Sequence, residues 1–127
     1  MPEATVAVYR GDFTFDREAL DAVILAQWPD RQYFEIRTGR RAESLVGQYQ
    51  IPADDGTLLL VDVERTGKAL DVSSSDSVVA ARFIAVVTTL PGFPSDGSAI
   101  VAEWINDSEM VTLRPGTTAE ELLARIE

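Results

Sequence analysis

The chain reads as an α+β fold. Three observations predict a mostly antiparallel sheet of about six or seven strands, two longer helices and a short C-terminal helix. Alternating or β-branched segments are joined by turn-rich stretches too short for a crossover, which forces antiparallel pairing. Two stretches, 16–28 and 75–90, repeat apolar residues at helical spacing. Near the end, Thr117 with Glu120 and Thr118 with Glu121 make two overlapping capping boxes. The order is then β-α-β-β-β-β-α-β-β-α, and 127 residues suit a single domain, 1–127.

Residues 5–9 form a strand, because β-branched and aromatic side chains fit a pleated surface. Arg10-Gly11-Asp12 matches an adhesion tripeptide, but glycine and aspartate are turn residues for backbone reasons, and it reads as a turn. Asp16 caps the first helix, with Glu18 in the first turn where the dipole favours an anion. Leu20, Val23, Ile24 and Trp28 share its apolar face, and Pro29 ends it. Residues 33–38 alternate as a strand, 39–43 connect, and 44–51 form the next strand. There Leu45, Tyr49 and Ile51 share one face and Val46, Gln48 and Gln50 the other, with Gly47 marking a bulge or a close approach.

A loop at 52–56 leads to the strand 57–63. It is apolar on both faces from Leu58 to Val61, which places it centrally in the sheet with helices over at least one side. Residues 68–72 return against it around the loop Arg65-Thr66-Gly67, where Gly67 supplies the left-handed conformation. That register sets Glu64 opposite Lys68 and Asp62 beside Leu70, so Asp62 and Asp71 are expected on opposite faces. Residues 73–76 offer caps for the second helix. Its apolar face of Val79, Phe83, Val86, Val87 and Leu90 is widened by Val78, Ala81, Ile84 and Ala85; such a helix is deeply buried or shows a second face to a partner. Residues 98–105 and 109–113 make a second hairpin, with Ile100, Ala102 and Trp104 on one face. Pro115-Gly116 breaks it, and Leu122, Leu123 and Ile126 dock the last helix.

The apolar share of 46% and charged share of 25% are those of an ordinary folded protein. A net charge of −10 repels nucleic acid and anionic membranes and favours basic partners. The N-terminal stretch lacks the apolar core of a signal peptide and no run approaches a membrane span, so a cytoplasmic protein is expected.

Residue types exclude most catalysis. With no histidine and no cysteine there is no Ser-His-Asp triad, no thiolate and no His or Cys metal site, and the glycines form no phosphate loop. Lys68, the only lysine, sits in an exposed hairpin where nothing depresses its pKa. The carboxylates Asp62, Glu64, Asp71 and Glu103 lie on strands, yet the expected opposite facing of Asp62 and Asp71 argues against paired acid–base work. Asp54-Asp55-Gly56 and Asp12 with Asp16 lack the spacing of a calcium loop. Arg31, Arg37, Arg40 and Arg41 form a local basic cluster read as solvated turn residues. No catalytic residue, metal or cofactor is therefore expected.

What remains is an acidic surface. The candidate partner-binding residues are Asp54, Asp55, Asp62, Glu64, Asp96, Glu103, Trp104, Asp107 and Glu109. Trp104 and Tyr49 serve as anchors if exposed and as core if not. In acidity, size and lack of catalytic side chains the chain resembles bacterial immunity proteins, which neutralise a basic toxin by covering its active site. That resemblance of type implies a non-enzymatic acidic binding or inhibitor protein with a basic protein partner. The alternative is a self-associating module, a homodimer formed through the second helix or a free sheet edge. A third option is a small-ligand pocket or weak enzyme between sheet and helix.

Overall fold

The computed structural model of the protein describes residues 3–52, 56–74, 76–102 and 110–124. The alternating segments build one seven-stranded antiparallel sheet: β1 (Glu3–Val8), β2 (Gln32–Glu35), β3 (Leu45–Pro52), β4 (Leu58–Glu64), β5 (Ala69–Ser74), β6 (Ala99–Ala102) and β7 (Met110–Thr112). The strands lie in the order β2-β3-β4-β5-β1-β6-β7. Between them run α1 (Arg17–Gln27) and α2 (Ser77–Val87), and the short α3 (Ala119–Leu123) follows β7, as the apolar spacing and capping boxes predict. Only consecutive hairpin partners were readable in advance. The seating of β1 between β5 and β6 depends on long-range packing.

Local chemistry starts each helix where expected. The Asp16 carboxylate accepts from the Ala19 amide at 3.0 Å, that of Asp76 from Val78 at 2.8 Å, and Glu121 N donates to the Thr118 hydroxyl at 3.2 Å. Each satisfies an amide the helix itself cannot. α1 stops at Gln27, one residue before Trp28-Pro29.

All three helices contribute to one core against one face of the sheet. Val6, Tyr49, Ile51, Leu59, Val61, Leu70 and Val101 of the strands meet Leu20 and Ile24 of α1, Phe83, Ile84 and Val87 of α2, and Leu122 of α3. Trp28 packs on Phe83 with ring centroids 6.1 Å apart. α2 spends its wide apolar surface on the sheet, α1 and α3, burying Val79, Ala80, Ala81, Phe83, Ile84 and Val87; Val78 stays exposed. Deep burial, rather than a second docking face, accounts for its composition. Tyr49 is fully buried, so of the two aromatic anchors it belongs to the core. No helix among the described residues is long and apolar enough to cross a membrane.

Two details differ from the sequence reading. The β4–β5 register pairs Val63 with Leu70 and Asp62 with Asp71. Four residues, 65–68, rather than three therefore separate the strands. The Gly67 amide closes a turn on the Glu64 carbonyl at 3.1 Å and Gly67 takes φ 73°. A slip of one residue reverses facing, so Asp71 joins Asp62 on one face and Glu64 no longer opposes Lys68. Secondly, the β3–β4 register shifts between Leu45 and Gly47. The extra residue reverses the alternation there. Val46 packs against the main core, while Leu45, though buried, stands opposite Glu64 and outside that cluster.

Candidate functional site

The face of the sheet away from the helices is the feature the strand pattern leaves open. Side chains alternate along every strand, so residues between the core positions project there, and apart from the buried Leu45 and Ala69 the described ones are half-buried or exposed. The pairing registers set Phe34, Gln48, Asp62, Asp71, Thr5 and Met110 in one row, which crosses β6 at the backbone position of Ala102. Phe34 and Met110 end the row and are 48% and 65% exposed. Two carboxylates stand directly opposed at its centre.

Neighbours hold these carboxylates in place. Gln48 Nε2 donates to Asp62 Oδ1 at 2.7 Å, and Gln50 Nε2 donates to Gln48 Oε1 at 3.1 Å. From the other side, the Thr5 hydroxyl donates to Asp71 Oδ1 at 3.1 Å. Glu64 lies two residues along β4 from Asp62, diagonal to Asp71. Burial raises its carboxyl above the usual range, and the charge of Asp71 and a hydrogen bond with it add to the effect. Burial and the nearby charge of Asp71 thus both favour the neutral form of Glu64. A shallow hollow of about 340 Å³ lies over this centre, between Thr5, Gln48, Leu60, Asp62, Asp71 and Ser73.

The structure thus brings together Asp62 and Glu64 from the candidate set and adds Asp71, Thr5 and Gln48. The expected opposite facing of Asp62 and Asp71 is overturned by the register. Thr5 escaped notice because it reaches the site only through the inserted β1. Asp96 stands apart, in the loop before β6. Its carboxylate accepts from the Ser98 amide at 3.0 Å, and bonds from Ser98 hold it below its ordinary range, so it shapes a turn. Asp54, Asp55, Glu103, Trp104, Asp107 and Glu109 lie outside the described residues.

The basic cluster disperses. Arg31 pairs with Asp21 at 2.8 Å, and the same carboxylate accepts the buried Tyr49 hydroxyl at 3.1 Å. Arg37 turns to Glu35 at 2.6 Å; Arg40 is exposed, and the side chain of Arg41 is outside the described set. Lys68 is half-buried rather than exposed, and its ammonium donates to the carbonyls of Gly11 at 2.9 Å and Phe13 at 2.8 Å, tying the first loop to the hairpin. Among the described residues no group of three or more acidic side chains is placed to hold a metal ion. No family model, no curated protein and no solved structure matches the chain.

Proposed function

We propose that the protein is a non-enzymatic acidic binding protein that recognises a basic protein partner through the open face of its sheet, in the manner of an immunity or inhibitor protein. The observation that carries this reading is the opposition of Asp62 and Asp71 at the centre of that face. Like charges directly opposed in a ladder cost about 0.2–1 kcal/mol. Natural sequences accept such local conflicts at functional sites. A guanidinium or ammonium group laid between the two carboxylates relieves the repulsion and gains charge-assisted hydrogen bonds. Phe34 and Met110 supply apolar contact at either end, where aromatic residues and methionine favour interfaces. The net charge of −10 steers a basic partner inward from a distance.

A defined arginine-rich peptide tests this by amide chemical-shift titration at low salt. Saturable shifts are expected at Thr5, Gln48, Asp62 and Asp71, weakened about tenfold or more in Asp62→Asn/Asp71→Asn. Asp12→Asn/Asp96→Asn, which removes the same two charges from exposed loops, serves as the control for lost charge alone. Equal weakening by the control and by Asp62→Asn/Asp71→Asn would reduce the effect to net charge and sink the reading.

A further inference from the structure

A second concavity lies at the other side of the β3–β4 pair, with Glu64 the one residue of the acidic centre that also lines it. It opens between the start of α1, β2 and the β4–β5 hairpin, with a volume of about 520 Å³. That is within the range of small-molecule sites, roughly 300–1,000 Å³. Its base is apolar, formed by the buried Phe15 and Val63 beside the Tyr33 ring. Around it stand the guanidinium groups of Arg17, Arg37 and Arg65. For a chain this acidic, three arginines on one hollow run against the overall charge.

These arginines are pre-positioned. The Arg17 guanidinium sits over the Tyr33 ring, 4.3 Å from its centroid, and 3.6 Å from Glu35. Arg37 is held by the same Glu35 at 2.6 Å while remaining largely exposed. Arg65 donates through Nε to the Ala42 carbonyl at 2.9 Å and through Nη2 to that of Leu45 at 3.3 Å; Nη1 takes no part in either bond. The Tyr33 ring is itself locked, because it lies over Gly47 in space a Cβ would need. Ordering costs of this kind, met before a ligand arrives, favour affinity.

The geometry points to a binding site for a small organic monoanion, a carboxylate head held by guanidinium groups with a planar apolar body on Tyr33, Phe15 and Val63. Guanidinium forks match a carboxylate bidentately. Glu35 already engages Arg17 and Arg37, and the surplus of positive charge left on the hollow suits a small anion with a single carboxylate. The site is independent of the basic-partner reading, so failure of the peptide titration leaves it standing.

Phenylacetate is the probe, phenylacetamide its neutral counterpart and inorganic phosphate the headgroup without a body. Amide shifts around Tyr33, Val46 and Val63 are expected to saturate with phenylacetate at a Kd of about 1 mM or tighter. Arg37→Gln removes an exposed guanidinium without touching the core and is expected to weaken binding about fivefold or more. Arg65→Gln should weaken it further, and Arg82→Gln, a distant arginine over Trp28, should leave it unchanged. The proposal is overturned if phenylacetamide binds as well as phenylacetate, if phosphate binds as well, if Arg82→Gln weakens binding as much as Arg37→Gln, or if shifts fail to saturate.

Discussion

At the scale of residues, the acidic row stores a small, removable cost. The Glu64 carboxyl titrates above its unfolded value. Its contribution is therefore most favourable below the unfolded pKa, and stability falls as pH rises through the raised one. Asp71→Asn removes the charge opposite Asp62 and beside Glu64 while leaving a side-chain oxygen for Thr5. It is expected to stabilise the fold by about 0.5 kcal/mol at pH 7, with a gain that shrinks at pH 3 as Glu64, its carboxyl raised, becomes neutral. Urea unfolding at the two pH values measures this, and a gain that persists undiminished in acid would locate the effect elsewhere. Tyr49 presents the opposite case. Burial and the neighbouring Asp21 push its phenol well above the usual range, so it stays neutral and donates to Asp21. Tyr49→Phe deletes one buried donor at nearly constant volume and should cost about 1 kcal/mol, read as a lower urea midpoint with an unchanged slope.

At the scale of elements, Gly47 joins two roles at one position. It follows the register shift in β3 and provides the space the Tyr33 ring occupies, which holds the edge strand β2 against the sheet. Gly47→Ala forces the ring away and should cost about 1–3 kcal/mol. Hydrogen exchange should then quicken first across Gln32–Glu35, and uniform quickening would assign the strain to the whole sheet instead. Such elements were largely legible in the sequence. Asp16 and Asp76 advertise their helices, and Leu20, Ile24 and Phe83 their buried faces. The bulge was legible as an alternative at Gly47. Register was less so, because Gly67 satisfies a three-residue and a four-residue loop equally well, and that one residue decides whether Asp71 meets Asp62. The acidic site was lost with it. The arginine cleft draws Arg17, Arg37 and Arg65 from three separated segments, and no spacing in a linear chain signals such a meeting.

At the scale of the whole molecule, charge and topology dominate. A net charge of −10 opposes compaction by self-repulsion. The thermal midpoint is expected to rise as salt increases towards about 0.15 M, where the Debye length is about 8 Å. A midpoint that falls would show that local pairs such as Arg31–Asp21 outweigh the overall field. The placement of β1 has a consequence in time. Thr5 bonds Asp71, 66 positions later in the chain, and pairs with Ala102 on its other side. On a ribosome adding residues from the N-terminus, the β1 segment waits for both partners with its ladder groups unmatched, an interval in which unpaired strands invite aggregation. Closing the sheet is then a late, long-range event, and folding should be slow for the chain's size, in the millisecond-to-second range of domains dominated by non-local pairing.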